Sequence, residues 1–218
     1  TVVCEISQPT KGVDGITVKN QPVKARDGVP AVPPVGENVK LSEDGLTAVA
    51  MVQGNLVFRS SHFVIEDTVR LENVNYDTGN VTFSGNVVVN GDMQDGFEID
   101  AGGDVTLRGQ LGSIIVRGEN ITIEKGINGT GKALLEAAGT IKAGFVENCN
   151  IRVGELLIAQ SLINSQVECE GDVDISGGKG VICGGKITAF GSVKAKEVGN
   201  DFNTPTTITL GVTPKLLK

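Results

Sequence analysis

Between Val69 and Ala195 the chain repeats itself about every 16 or 17 residues, and few architectures accommodate such a period. Two interleaved rows of apolar i, i+2 pairs run through this stretch. The first reads Val69/Leu71, Val87/Val89, Val105/Leu107, Ile121/Ile123, Ile141/Ala143, Leu156/Ile158, Val173/Ile175 and Ile187/Ala189, with steps of 18, 18, 16, 20, 15, 17 and 14 residues. The second reads Val81/Phe83, Phe97/Ile99, Ile114/Val116, Leu135/Ala137, Ile151/Val153, Val167/Cys169, Val181/Cys183 and Val193/Ala195. An i, i+2 pair marks a short strand with one buried face. Glycine punctuates the strands, as in Ser84-Gly85-Asn86 and Gly102-Gly103-Asp104. Strand, glycine corner and strand at a fixed period describe a β-solenoid, whose coils bury their apolar faces only by stacking.

Met93, Leu111, Ile127 and Leu162 form a third, patchier row, each four residues after a first-row pair. Three inward walls per coil predict a triangular section, with the third wall thinning in the later coils. Parallel crossovers are nearly always right-handed, so the expected fold is an all-β, right-handed parallel β-helix. About eight coils at roughly 4.8 Å each give a rod on the order of 40 Å.

The low aromatic content fits a thin rod: 30 Gly, no Trp and 4% aromatics leave Val, Ile and Ala to fill it. A net charge of −7 argues against nucleic acid or an anionic membrane as partner. No signal peptide and no 18-residue apolar run marks secretion or a membrane span. The sequence starts without Met, as an excised piece of a longer protein would.

Cys4, Cys149, Cys169 and Cys183 lack CxxC or His-containing spacing, which argues against zinc. Cys169 and Cys183 are expected at one wall position in successive coils, within disulfide range but with parallel Cβ vectors. Small buried thiols in a reducing cytoplasm are therefore expected.

Residues 1–64 fall outside the period. Val39–Leu41, Thr47–Val52 and Leu56–Phe58 read as antiparallel strands, with Asp44-Gly45 and Gln53-Gly54-Asn55 as the hairpin turns between them. This small β-module is expected to cap the first coil, followed by a solenoid over 65–199. Over 200–218, the β-branched run Thr206–Val212 is expected to close the last edge, with a truncated tail beginning at Pro214-Lys215-Leu216-Leu217-Lys218.

Motifs of chemistry are sparse. Gly126-Ile-Asn-Gly-Thr-Gly131-Lys132-Ala133 has the spacing of a phosphate-binding loop, but Ala133 stands where a Mg²⁺-holding hydroxyl is needed and no βαβ context surrounds it. It reads as a widened corner. The sequons at Asn80, Asn120 and Asn128 reflect Asn at corners and Thr in strands. Asn148 and Asn164 are placed to stack at one corner. His62 is the only histidine, so no histidine triad or multi-histidine metal site exists. Asp92, Asp95, Glu98 and Asp100 cluster near one corner, yet the aromatic platforms of sugar-cleaving β-helices are missing; a solvated acidic corner is the simpler reading. No catalytic, cofactor-binding or metal-ligating residues are assigned, and no cofactor is expected.

Several segments together resemble the bacterial flagellar assembly protein A family. They are Gly12-Val13-Asp14-Gly15, Gly36-Glu37-Asn38-Val39, Gly45-Leu46-Thr47-Ala48-Val49-Ala50 and the solenoid entry Val74-Asn75-Tyr76-Asp77-Thr78-Gly79-Asn80-Val81-Thr82-Phe83-Ser84-Gly85-Asn86-Val87. Gly96–Val105 fits as well. The one departure is Val18-Lys19-Asn20, where members often carry Gly. The resemblance implies a cytoplasmic, non-enzymatic scaffold for flagellar assembly or polar placement. The partners it implies are proteins, with flagellar or polar factors and a regulatory component of the sugar phosphotransferase system as candidates. Fuller members carry an additional N-terminal region and a helical C-terminal segment. The alternatives are a self-assembling, bactofilin-like polymer (hence a homo-oligomer) or a module like the C-terminal domain of the septum-site inhibitor, which Gly96–Gly109 also resembles. A polysaccharide-active enzyme ranks last.

Overall fold

The structure, a computed structural model, describes residues 1–214. The chain divides into two compact units, Thr1–Asp67 and Thr68–Lys218. No helix among the described residues is long and apolar enough to cross a membrane.

The second unit is a parallel β-solenoid of three walls. On the first wall eight strands stack in sequence order, from Thr68–Leu71 to Val193–Ala195. Their inward residues run Val69, Val87, Val105, Ile121, Ile141, Leu157, Val173 and Val193. The third row forms a complete wall from Val74 through Met93, Leu111, Ile127, Val146, Leu162 and Ile182 to Val198. The second wall runs from Val81 through Ile99, Val116, Leu135, Ile151, Val167 and Ile187 to Ile208. Ile99, Ile121, Leu135, Ile141, Leu157 and Leu162 are fully buried, each stabilising the fold by about 2 kcal/mol relative to exposure. No coil could bury them alone.

Four expected pairs change face or wall. Leu156/Ile158 faces outward at half-burial, and the inward pair is Leu157/Ala159, because Leu157 sits on Ile141. Ile187/Ala189 belongs to the second wall and Val193/Ala195 to the first. Val181–Cys183 belongs to the third wall, with Ile182 on Leu162. The loop Ser176–Gly180 lengthens that coil ahead of the third wall, with Gly178 and Gly180 at positive φ. The third wall therefore does not thin. Phe97/Ile99 and Ile114/Val116 keep the expected faces but sit two residues early: the stacked pairs are Ile99/Ala101 and Val116/Gly118.

Corners are closed by side chains reaching one coil onward. The Asp92 amide donates to Asn73 Oδ1 at 2.9 Å, and the Gln110 amide donates to Asp92 Oδ1 at 2.8 Å. The Asp104 amide donates to Asn86 Oδ1 at 2.9 Å, Asn120 Nδ2 to Asp104 Oδ1 at 2.8 Å, and the Thr140 amide to Asn120 Oδ1 at 2.8 Å. These contacts satisfy backbone donors where the ladders break. At another corner Asn148, Asn164 and Gly184 follow one another in the left-handed region, at φ 53°, 47° and 73°. Asn tolerates that region with little strain. Asn148 Nδ2 donates to Asn128 Oδ1 at 3.2 Å, so the amide contact at this corner runs to Asn128.

Cys169 pairs with Val153 and Ala189 on the second wall, whereas Cys183 pairs with Ile163 on the third. The expected stacking of these two thiols does not occur, again because the Ser176–Gly180 loop moves Cys183 to another wall. All four cysteines are free.

Thr206–Leu210 lies parallel on Gly185–Ala189, with Ile208 over Ile187, and forms the last rung of the second wall. The expected tail at Lys215–Lys218 lies outside the described residues.

The first unit holds a three-stranded antiparallel sheet in the order Val2–Glu5, Thr47–Ala50, Val39–Leu41. Val39, Ala48 and Ile65 form its small core. The Asp44-Gly45 turn is present, with the Asp44 carboxylate accepting the Leu46 amide at 2.9 Å. The Gln53-Gly54-Asn55 hairpin is not: Asn55–Arg59 pairs with His62–Glu66 instead. Ser60 and Ser61 make that turn at positive φ, a conformation their residue types do not advertise. At the departure from the family pattern, Asn20 takes φ 61° in the hairpin joining Gly15–Ile16 to Pro22–Val23, doing what Gly would do.

Candidate interaction groove

The residue between the two members of an inward pair must face out. On the second wall these outward residues stack in register as Asp100, Arg117, Glu136, Arg152 and Glu168. The signs alternate, and the column is bridged from Arg117 to Glu168. Arg117 binds Glu98 and reaches Glu136 Oε2 at 2.8 Å through Nε. Arg152 donates from Nη1 to Glu136 Oε1 at 2.8 Å and lies 3.3 Å from Glu168 Oε2 through Nε. The Arg152 hydrogen bond, ahead of that from Arg117, holds the Glu136 carboxyl below its ordinary value. Glu136 in turn raises Arg152.

Just past this column the chain turns through small residues at Gly102, Ala138 and Gly154. At Gly154 the backbone passes so close to the Ala138 carbonyl oxygen that a Cβ would collide with it. With no long side chain at these three positions, the corners floor a shallow groove of 660 Å³ along the charged column. Glu119, Glu168, Glu170 and Pro214 also line it. Pro214 is buried, although it follows the last rung.

Of the sequence-derived candidates, Asp100 begins the charged column and Glu98 binds its Arg117, while the others sit elsewhere and are occupied with structure. Asp92 accepts the Gln110 amide, Asp95 accepts the Ser113 amide at 2.8 Å, and Glu98 binds Arg117; Asp100 is exposed. His62 is exposed, with Nδ1 3.3 Å from Ser61 Oγ. Gly126–Ala133 lies within the strand Ile121–Ala137 and bulges between Asn128 and Ala133, with no helix after it. Asn80 Oδ1 accepts the Glu98 amide at 3.1 Å, so this sequon side chain ties two coils. Among the described residues no three His, Cys, Asp or Glu side chains gather as a metal-ligand set.

Burial pushes the Cys149 thiol up to about 11 and raises Cys169 as well. Thiols so shielded are poor nucleophiles at neutral pH. Ser165, fully buried, accepts the Cys149 amide at 3.1 Å and donates to the Ile163 carbonyl at 2.9 Å.

The charged column was hidden in the sequence by a two-residue offset. Pairing Ile114 with Val116 places Ile115 between them, whereas the stacked pair Val116/Gly118 encloses Arg117. With that register the alternation Arg117, Glu136, Arg152, Glu168 can be read directly.

The model of the Flagellar Assembly Protein A beta solenoid domain matches residues 67–218. That of the Flagellar Assembly Protein A N-terminal region matches residues 1–61. No curated protein and no solved structure gives a match. The two family matches span nearly the whole sequence, and the chain belongs to the flagellar assembly protein A family, which implies a role related to flagellar assembly.

Proposed function

We propose that the protein is a cytoplasmic, non-enzymatic scaffold that docks protein partners on its solenoid, with the groove of the second wall as the docking face. The observation that carries this reading is the groove itself, a channel with a flat floor of small residues beside a bridged Arg/Glu column. Stacked coils hold such a face rigid, so little entropy is lost when a partner settles on it. The four free cysteines support a reducing compartment. The carboxylates nearest to a catalytic arrangement support a structural role, since Asp92 and Asp95 close corners.

The test is genetic and physical together. In cells lacking the native protein, Ala138→Gln, which raises a side chain from the exposed groove floor, is expected to disturb flagellar assembly or placement. Its abundance and melting temperature should match the parent. Normal flagella with this variant would remove the groove from the function.

A self-assembling polymer is the second reading. It draws on the outer edges of Val193–Ala195 and Thr206–Leu210, which meet no further strand among the described residues. Polymers growing with concentration in sedimentation would support it, and a single small species would exclude it.

A further inference from the structure

We propose that the ribbon formed by residues 9–34 is a dimerisation arm, which lies on the acidic surface of a second copy of this chain. It is separate from the groove, and neither reading depends on the other.

The ribbon leaves the three-stranded sheet after Ile6, whose amide bonds to the Leu46 carbonyl at 2.7 Å. It returns at Pro34, whose carbonyl takes the Phe63 amide at 2.8 Å. Between these points its two legs hold each other. The Gly28 amide donates to the Thr10 carbonyl at 3.0 Å, the Gly12 amide to Asp27 Oδ1 at 2.9 Å and the Ala25 amide to Asp14 Oδ1 at 2.7 Å. Gly15–Ile16 pairs with Pro22–Val23 nearer the tip, and among the described residues no third strand joins them.

Such a ribbon lacks support of its own. A lone two-stranded hairpin is marginal in water, because its side chains have nothing to pack against. Residues 7–32 are exposed except for half-buried Ala25, and Val13, Ile16, Val18, Val29 and Val32 are each at least 72% exposed. Aliphatic side chains gathered in this way mark a surface that another body covers.

Charge selects that body. The ribbon carries Lys11, Lys19, Lys24 and Arg26 against Asp14 and Asp27, while the remainder of the sequence carries 15 Lys and Arg against 24 Asp and Glu. None of the four cations joins an ion pair among the described residues. Both ribbon carboxylates already hold amides of the opposite leg. A cationic arm on an acidic chain is complementary to the bulk of its own kind. Across a two-fold axis one contact, made twice, covers both arms. Residues 9–34 also match the roughly 20–30 residues a side of a stable interface. A bilayer fits worse, since the ribbon's outer edges would enter hydrocarbon with N–H and C=O groups unpaired, and anionic lipid would repel the acidic remainder.

Sedimentation equilibrium of the full chain tests the arm. A dimer is expected at low salt, dissociating as salt screens the contact. Lys19→Glu combined with Lys24→Glu, both at exposed positions, should weaken it about tenfold while the melting temperature of the solenoid stays that of the parent. In a mixture of isotopically light and heavy copies, a zero-length carbodiimide should join Lys11, Lys19 or Lys24 of one copy to a carboxylate of the other. A parent that stays monomeric at every concentration overturns the proposal. So does a dimer indifferent to the double variant, or mixed-isotope links that omit the ribbon lysines. A monomer that co-sediments with phosphatidylglycerol vesicles through these lysines would assign the ribbon to lipid and overturn it as well.

Discussion

Glu136 and Arg152 lie opposite each other on adjacent coils of the second wall, and the carboxylate takes the arginine Nη1 at 2.8 Å. Arg117 holds the other carboxylate oxygen from the coil before, so one side chain clamps three coils. Such a column locks register as well as adding attraction, because a one-rung slip would set like charges together.

Replacing Glu136 by Gln should therefore cost on the order of 1 kcal/mol, within the range for partly exposed pairs. The carboxyl is depressed in the folded protein, so its contribution is present above its ordinary value of 4.5 and is lost as pH falls through the lower folded value. Urea melts of the parent and E136Q should differ at pH 7 and converge in acid. A constant difference down to the lowest pH at which the chain folds would show that the ionised carboxylate is not responsible.

The register of the sixth coil is testable by two neighbouring substitutions. Leu157→Asp puts an unpaired charge on the fully buried wall and should cost several kcal/mol, as should Val105→Asp. Leu156→Asp, on the half-buried outer face, should cost under about 1 kcal/mol. Thermal melts in which the 156 variant is the more damaged would invert the assigned face.

At Asn148, φ 53° sets which residues are tolerated. Asn148→Gly should leave stability nearly unchanged, while Asn148→Val should lose about 1–2 kcal/mol from left-handed strain. Equal melting temperatures for the two variants would contradict the corner geometry.

The thiols give a pH and reactivity signature. Cys149 is raised in the folded state from 9.0 to about 11, so its contribution is complete below pH 9 and lost as pH rises through 11. A Cys149→Ala variant should show a shallower alkaline loss of stability than the parent. In the native protein a thiol reagent at pH 7.5 should modify half-buried Cys4 first, with Cys149, Cys169 and Cys183 protected until unfolding. Rapid native modification of all four would contradict the packing.

Ending the chain at Gly199 removes Thr206–Leu210 and bares the edge of Gly185–Ala189. An uncovered parallel edge invites pairing, so this truncation should raise end-to-end association while the earlier coils keep their circular dichroism. A truncated protein as monodisperse as the parent in light scattering would show that the last rung has no such role.

The sequence alone carried the fold, because a strand with one buried face writes its parity into the residues: Val105/Leu107 and Ile121/Ile123 alternate with Thr106 and Thr122, and both pairs face inward. Parity is lost where apolar residues run consecutively. In Leu156-Leu157-Ile158-Ala159 either alternate set could be buried, and the choice of Leu157 came from its seat on Ile141, a residue 16 positions earlier. Val181-Ile182-Cys183 was ambiguous in the same way, and its wall was decided by how many residues the preceding loop absorbed. The candidate groove was less legible still. Its column joins Arg117, Glu136, Arg152 and Glu168 across coils of unequal length, so charges far apart in sequence become neighbours only once stacking fixes the register. Local periodicity determines which side chains are buried; long-range stacking determines which exposed ones meet.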